Sequence, residues 1–354
     1  MRYKIHHEPF YDFESFSILR AIYNKRSIKE EATKATEKLG GRYKSVVAEF
    51  FSNSIALEKY VKKTLNLNDE LAAFLFKEQG DDKYCLAEAC FCRTRMLEYD
   101  IDNIGAAILD TIDGDYWTKN PEAKIPPIIT DGEFFKLVDE CKLTSEEKMA
   151  ALQMYHNFDM YFTHFKTLLT HVTSLVIEKM PAFKPSIESF MGKLSNELDT
   201  KGKAFFTENF NITISESDTS TEIFDIYPGI YTVSSVHVWG LGYAGPFIAF
   251  GFGVLEAKKI YSKEKSGGEK AEQFLKLLSD NTKLSILKLL KDGPMYSSQL
   301  AEKLNCTSAN ISYHMSQLLT LDVLTVEKEN NRIYLHLNKD GICNLLDDAK
   351  GLFR

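Results

Sequence analysis

The spacing of apolar residues predicts a long helical region at the start of the chain. From residue 1 to about residue 191 the apolar positions recur mainly at helical spacing. The clearest helix begins at Thr144-Ser145-Glu146-Glu147, a capping-box sequence, and is predicted to run to Met180, because Pro181 stops it. Apolar side chains lie on more than one side of this helix, so we expect neighbouring elements to enclose it.

The pattern changes near residue 205, where β-branched and aromatic residues become frequent. Four short strands are predicted within residues 211–215, 223–226, 230–238 and 247–254, separated by turn-forming residues. Residues 258–270 are charged and contain Ser266-Gly267-Gly268, which indicates a linker. The sequence therefore predicts two domains. The first covers residues 1–262, helical to about 205 with strands at about 208–255, and the second covers residues 269–354.

The second domain shows a different order of short elements. Two amphipathic helices come first, the second with Leu284, Leu287 and Leu290 predicted to face inward and Ile286 beside them. A third helix starts at Ser297 or Ser298, and a tight turn over residues 305–307 leads to a fourth that Ser308 can cap. A hairpin about residues 330–331 and a last amphipathic helix over residues 342–353 complete the domain.

A short helix, a tight turn, a second helix and a β-hairpin form a winged helix-turn-helix, whose second helix enters the major groove. The spacing predicts that Ile311, Met315 and Leu318 bury one face of that helix. The opposite positions are the predicted base contacts: Ser308, Ala309, Asn310, Ser312, Tyr313, His314 and Gln317. All are uncharged, so amides, hydroxyls and a methyl group would recognise the bases. Predicted phosphate and wing contacts are Lys283, Lys303, Thr307, Lys328, Asn331 and Arg332.

Three segments resemble the ArsR/SmtB family of winged-helix regulators. LKLLSDNTKLSILKLL is similar to the family's second-helix motif, SSQLAEKLNCTSANISYHMSQL to its helix-turn-helix, and NRIYLHL to the second wing strand. The resemblance covers about residues 270–354, with departures at Asn281, where proline is usual, and at Asp322-Val323, where Ala-Gly is usual. It implies a homodimeric repressor that releases DNA when a signal binds.

The metal sites usual in that family have no matching residues here. The third helix, residues 297–304, contains no cysteine or histidine, and residues 338–354 contain no histidine. Cys306 and Cys343 alone cannot supply the four ligands that zinc prefers. The sequence therefore predicts no metal site and no cofactor, with the signal acting at the N-terminal domain.

Charge and composition modify this picture only slightly. The 354 residues carry 43 basic and 50 acidic side chains, a net charge of −7, whereas residues 270–354 hold 11 basic and 10 acidic residues. This balance predicts few phosphate contacts per subunit and hence two subunits on operator DNA. The N-terminus has no signal-peptide pattern and no stretch is long and apolar enough to span a bilayer, so we expect a cytoplasmic protein with no membrane partner.

Weaker patterns in the first domain each leave two interpretations. Cys85, Cys90 and Cys92 could form a soft-metal or redox site, but small buried side chains are the favoured explanation. Residues 240–245 spell G-x-G-x-x-G without the following helix that dinucleotide binding needs, so a loop is favoured. Three histidines beside Asp159 are favoured as core or boundary residues rather than a metal cluster; they are His156, His164 and His171.

The sequence as a whole predicts an α+β protein, with a mostly helical N-terminal domain containing a small sheet and a C-terminal winged helix-turn-helix. The predicted function is a homodimeric DNA-binding repressor. Its aromatic content of 12% could line a pocket for a small-molecule effector, although ordinary core packing explains the same residues. No catalytic residues are predicted, and the alternative is an enzyme within residues 1–260 that carries an accessory winged helix.

Overall fold

The computed structural model has an α+β fold, as predicted, and its residues group into two compact units. We call Tyr3–Ser195 with Ile223–Ala257 the N-terminal body, and Met1–Arg2, Asn196–Glu222 and Lys258–Arg354 the winged-helix body. The structure describes residues 2–39, 44, 47–79, 84–95, 104–113, 129–141, 143–202, 204–210, 212–214, 223–233, 235–239, 247–258, 267–306, 308–329 and 332–353. Within these ranges no helix has the length and apolar content needed to cross a membrane.

The N-terminal body is built mainly from helices. They are α1 (Tyr11–Tyr23), α2 (Ile28–Leu39), α3 (Ser52–Thr64), α4 (Glu70–Phe76), α5 (Ala87–Arg95), α6 (Ile104–Asp113), α7 (Asp131–Glu140), α8 (Ser145–His156), α9 (Phe158–Lys179) and most of α10 (Lys184–Lys201). A π-helical turn (Val47–Phe51) precedes α3, and a 3-10 turn (Met180–Ala182) follows α9. Helix α1 packs along α9, and the buried rings of Phe16 and Phe165 each lie 5.9 Å from that of Phe76 in α4.

A four-stranded sheet completes this body. Its strands are β1 (Arg2–Ile5, in this body from Tyr3), β3 (Ile223–Gly229), β5 (Phe247–Gly251) and β4 (Val236–Trp239), in that spatial order. Strand β5 pairs parallel with β3 and antiparallel with β4, and all five of its residues are buried. A central strand buried on both faces needs a continuous apolar run, which Phe247–Gly251 provides. Strand β1 was not predicted from the sequence, because its four residues, RYKI, are too few to show a periodicity.

The predicted helix from Thr144 to Met180 is two helices in the structure. Its start is as predicted: Thr144 Oγ1 accepts a hydrogen bond from Glu147 N (3.3 Å), and Glu147 Oε2 accepts one from Thr144 N (2.7 Å). The helix is interrupted at Asn157, whose Nδ2 donates to the Gln153 carbonyl (3.0 Å). An asparagine side chain that bonds to the backbone competes with the helical ladder, which accounts for the interruption.

The winged-helix body contains the C-terminal helices and a second sheet. Its helices are α11 (Ala204–Phe210), α12 (Gly267–Leu278), α13 (Asn281–Lys291), α14 (Ser297–Leu304), α15 (Ser308–Thr320) and α16 (Lys339–Gly351). The sheet has the order β2-β7-β8-β6, with β2 (Ile212–Ile214), β7 (Leu324–Glu329), β8 (Arg332–Leu337) and β6 (Met295–Tyr296). Its core is apolar, and Ile286, Leu300, Ile311 and Leu335 are each 0% exposed.

Strand β2 lies in this second sheet rather than in the sheet of the N-terminal body. Ile212–Ile214 pair parallel with Val326–Lys328 of β7, so residues 196–222 group with the C-terminal residues. The sequence pattern instead predicts these residues in the first domain. An edge strand such as β7 exposes a row of unpaired amides and carbonyls, and β2 satisfies them. Local sequence shows that residues 212–214 favour a strand but not which partner they choose.

Candidate nucleic-acid interface

The turn between α14 and α15 sets the relative position of these two helices. Asn305 ends α14 in the left-handed conformation, with φ 52° and ψ 47°, and Cys306 N donates to the Ala301 carbonyl (3.0 Å). Asparagine adopts this conformation more readily than most residues other than glycine. The chain therefore reverses tightly after α14, and α15 begins at Ser308, as predicted.

Helix α15 is held in the domain by the apolar face that its spacing predicted. Ile311 and Leu318 are both 0% exposed, and Met315 is half-buried against the same core. Ser297 Oγ, at the start of α14, donates to Met315 Sδ (3.4 Å). These contacts bind one side of α15 to the core.

His314 is not on the outer side of α15, contrary to the sequence analysis. It is 9% exposed, and its Nδ1 lies 3.8 Å from Asp280 Oδ2 at the start of α13. Burial lowers the pKa of His314, opposed by the charge of Asp280 and reinforced by that of Lys283, so the imidazole is neutral at pH 7. Residues 311, 314 and 318 are spaced by three and four, so the spacing itself places His314 on the buried stripe.

Lys283 is likewise buried rather than directed toward solvent. It is 9% exposed, and its Nζ lies 3.2 Å from Asp280 Oδ2. The sequence analysis proposed Lys283 as a phosphate contact, whereas the structure uses its charge inside the domain. Ile286, beside it on the helix, is 0% exposed and Leu284 is only half-buried, so the buried stripe of α13 is rotated from the predicted one.

Asp280 joins the first turn of α13 to the buried side of α15. Its Oδ1 accepts hydrogen bonds from Thr282 N (3.0 Å) and Lys283 N (3.1 Å), which caps the helix. Partial burial acts to raise the pKa of Asp280, but the hydrogen bonds and charge of Lys283 outweigh it and hold that pKa below its usual range. One ionised carboxylate thus contacts both of the polar side chains buried here.

The predicted wing is formed by β7 and β8. Their antiparallel register runs from Leu324 opposite Leu337 to Glu329 opposite Arg332, which leaves residues 330 and 331 as the connection. At the start of the wing Asp322 has a positive φ of 58°, and its carbonyl accepts a hydrogen bond from Asn338 Nδ2 (2.8 Å). Aspartate tolerates this conformation, so the departure from Ala-Gly at residues 322–323 leaves the winged fold intact.

The remaining predicted contacts stay predictions. Lys303 is exposed on α14, and Gln317 is half-buried on α15. The backbone of α15 also carries Ser308, Ala309, Asn310, Ser312 and Tyr313, and the wing strands carry Lys328 and Arg332, but their side chains are not among those described. Thr307 and Asn331 lie outside the described residues. The interface is therefore defined by a helix and a hairpin, and the DNA contacts belong to the proposal below.

The weaker patterns of the first domain do not assemble into a metal site in the part of the chain that the structure describes, where no three potential ligands come together. Cys85 and Cys90 are 0% exposed, and burial raises the pKa of the Cys85 thiol well above its usual range. His164 Nε2 lies 2.8 Å from Asp69 Oδ2, a pairing that does not involve Asp159. The Cys92 side chain and the glycine-rich residues 240–245 lie outside the description.

A model of a helix-turn-helix domain matches residues 278–327, and with the geometry of α14, α15 and the wing it defines a winged helix-turn-helix DNA-binding domain. Over 63 residues the chain is 36% identical to the transcriptional repressor SdpR of Bacillus subtilis (strain 168), covering 18% of this chain and 70% of that repressor. Through this domain the chain belongs to the ArsR family of transcriptional repressors, which confirms the resemblance seen in the sequence.

Two further relatives are repressors of arsenical resistance operons. The chain is 34% identical over 65 residues to that of Staphylococcus aureus and 33% identical over 67 residues to that of Staphylococcus xylosus. These segments cover 18% and 19% of this chain, and 62% and 64% of the two repressors, respectively. No solved structure matches the chain. The similarity is therefore confined to the winged helix, and the N-terminal body has no identified relative among these matches.

Proposed function

We propose that this chain is a homodimeric repressor that binds double-stranded operator DNA, and that a signal at the N-terminal body modulates this binding. The observation that carries the proposal is the placement of α15. Ile311 and Leu318 bury one face of this helix beside the β7–β8 wing, in a domain that belongs to a family of repressors. In this geometry the other face of the helix is available to the major groove.

The charge of the domain supports a dimer on DNA. Residues 270–354 carry a net charge of only +1, and Lys283, one of the cations first assigned to phosphate, is buried beside Asp280. Because each neutralised phosphate contributes to affinity, a subunit with few free cations binds DNA weakly by itself. Two subunits on a two-part operator provide the affinity that one lacks.

An exposed apolar surface of the winged-helix body supports self-association. Leu275 on α12 is 39% exposed and Leu346 on α16 is 42% exposed, while Leu352 and Phe353, just after α16, are 38% and 84% exposed. Helices α12 and α16 pack against each other, so Leu275 and Leu346 lie on one pair of helices, and Leu352 and Phe353 follow the second of them. Exposed apolar clusters of this kind mark protein–protein contacts. We assign this surface to a second copy of the chain.

DNA binding is tested with the full chain on a site selected from a random duplex pool. Asn310→Ala should weaken binding by about 1–3 kcal/mol and relax the preference at one base position. Arg332→Ala should weaken binding to every sequence and reduce the slope of log affinity against log salt by about one. The matched control is Lys288→Ala, which removes an exposed cation from α13. Unchanged operator binding by both Asn310→Ala and Arg332→Ala would rule out the assigned surface.

The dimer is tested by sedimentation equilibrium at micromolar concentration. Leu346→Arg places a charge in the apolar surface of α12 and α16 and should convert dimer to monomer. Met149→Arg makes the same kind of change at a residue of the N-terminal body that is 63% exposed, and it should leave the dimer intact. A wild-type monomer, or dissociation by Met149→Arg alone, contradicts the assignment.

A further inference from the structure

The N-terminal body contains a cavity of about 400 Å³ between helix α1 and the segment that joins β3 to β4. Sites for small molecules commonly have volumes of about 300–1,000 Å³. Helix α1 lines the cavity with residues 13, 16, 17, 20 and 21, which are spaced so that they share one face. The opposite wall is formed by Tyr231–Val233, Ser235 and His237. All these residues belong to the N-terminal body.

Four aromatic residues lie in the walls of the cavity. Phe13, Phe16, Phe51 and Tyr231 all line the cavity, and each is at least nine-tenths buried. The ring of Phe13 lies 5.8 Å from that of His237, centroid to centroid. Burial and the nearby charge of Arg20 lower the pKa of His237, so its imidazole is neutral at pH 7 and adds no charge to the cavity. Such a lining favours a flat, apolar ligand.

Two arginines supply the positive charge. Arg20 Nε donates to Glu78 Oε1 (2.8 Å), Arg20 Nη1 also donates to Glu88, and Arg26 Nη2 donates to the same Glu78. Among the described residues, the lining contains both arginines and one acid, Glu31, but not Glu78 or Glu88. The side chain of Arg26 is 43% exposed; among the described residues Glu78 is the carboxylate in direct contact with it, and Glu31 interacts with it at longer range. Its remaining N–H groups can therefore bind a carboxylate.

The wall opposite α1 is held rigidly by buried polar contacts. Glu14 Oε2 accepts hydrogen bonds from Tyr231 N (2.7 Å) and Ile230 N (3.2 Å). The Tyr231 hydroxyl donates to Glu58 Oε2 (3.0 Å), and Glu58 is only 4% exposed. A site held in place before its ligand arrives loses less entropy on binding.

We propose that this cavity binds a small aromatic carboxylate, with its ring between α1 and Tyr231–Val233 and its carboxylate at Arg26. The inference rests on the proposed function, because it names the site and the ligand class for the signal that modulates DNA binding. The neutral amide of the same ring system binds more weakly, since it makes no charge-assisted pair with arginine. The corresponding amine binds most weakly, because it cannot pair with Arg26 and its charge is repelled by that arginine.

The test is calorimetric titration of the full chain with 2-naphthoate, 2-naphthamide and 2-naphthylmethylamine. We expect 2-naphthoate to bind about tenfold more tightly than the amide, and the amine to bind most weakly. Arg26→Gln should remove the advantage of the acid over the amide. Lys29→Gln removes an exposed charge at the second residue of α2, outside the lining, and should preserve that advantage. An amine that binds as tightly as the acid, or no binding of 2-naphthoate at millimolar concentration, overturns the proposal.

A second variant tests the location of the site. Ser17→Phe places a ring in the cavity and should abolish binding of 2-naphthoate, whereas Ser52→Phe, at an exposed position outside the lining, should leave it unchanged. Full binding by Ser17→Phe, with its circular dichroism spectrum unchanged, overturns the assignment. These titrations contain no DNA, so they succeed or fail separately from the repressor proposal. If 2-naphthoate binds in the cavity but leaves operator affinity unchanged, the site stands and its regulatory role is wrong.

Discussion

The two bodies differ in how they use buried polar side chains. In the N-terminal body Glu14, Ser15 and Ser54 are 0% exposed and Glu58 is 4% exposed, whereas in the described part of the winged-helix body the buried polar residues are Lys283 and His314, both 9% exposed. Burying a polar group costs free energy unless it is hydrogen-bonded. The N-terminal body incurs this cost to hold Tyr231 and its neighbours in place. The winged helix relies on an apolar core and confines its polar contacts to the junction of α13 and α15.

The two bodies also differ in how they treat a carboxylate, as Glu14 in the N-terminal body and Asp280 in the winged-helix body show. Burial raises the pKa of Glu14 to about 7, although Tyr231 N and Ile230 N donate to it, so this group is partly protonated near neutral pH. Asp280 is held ionised by the first turn of its own helix and by Lys283. One carboxylate is therefore sensitive to pH near neutrality, and the other only in acid.

The largest predicted effect is at Gly251, which tests how rigid the N-terminal wall is. A Cβ at this position would lie 2.0 Å from the Thr232 carbonyl oxygen and 2.4 Å from that of Val233. Gly251→Ala must displace this backbone, and we expect a loss of roughly 3 kcal/mol in the free energy of unfolding. Gly192→Ala is the control, since its Cβ meets nothing within 4 Å in α10 and a helical alanine is favoured. Equal stability of the two variants in urea unfolding would show that the wall is deformable.

The second prediction concerns the titration of Glu14. Because its pKa is raised in the folded state, its contribution to stability is complete below the unfolded pKa of about 4.3 and is lost as the pH rises through about 7. Glu14→Gln keeps an acceptor for Tyr231 N and cannot ionise. The difference in unfolding free energy between wild type and variant should change by ~3 kcal/mol between pH 4 and pH 8, in favour of the variant at high pH. A difference that is constant with pH contradicts a buried, titrating Glu14.

The third prediction is that the charge of Asp280 changes the free energy of unfolding by less than that of Glu14, and with the opposite dependence on pH. Because its pKa is lowered on folding, its contribution is present above the unfolded pKa of about 3.9 and is lost as the pH falls through the folded value. Asp280→Asn keeps the helix cap and removes the charge, while Asp280→Ala also removes the cap and should cost about 1 kcal/mol more. Thermal unfolding from pH 2 to pH 7 measures both. If the two variants are equally stable, Asp280 does not act as a cap.

The sequence was most informative where structure depends on local periodicity. Ile311 and Leu318 follow from helical spacing, and the capping box at Thr144 follows from its four-residue pattern. His314 was misplaced because its residue type suggested a surface position, although its spacing put it on the buried stripe. At His314 periodicity was therefore a better guide than residue type. At Lys283 the predicted stripe was itself rotated, because it passed through Leu284 rather than through Lys283 and Ile286.

Contacts between distant segments were not predictable in this way. Nothing near Glu14 in the sequence indicates that its carboxylate will bond to Tyr231 N, 217 positions away. The cavity shares this origin, because α1 supplies one wall and residues 231–237 supply the other. The sequence does show that the α1 residues lining the cavity recur at helical spacing. An apolar stripe that faces an ordinary core has the same spacing. An apolar stripe thus indicates burial without distinguishing a core from a binding site.

Strand β2 has a consequence for any attempt to use the winged helix separately. Cutting the chain between the two predicted domains would remove residues 212–214. Val326–Lys328 of β7 would then have lost the strand with which they pair. The uncovered backbone groups would then be open to strands of other molecules, so an excised winged helix should tend to aggregate. Exchanging this domain for that of another repressor would likewise have to supply a replacement for the lost strand.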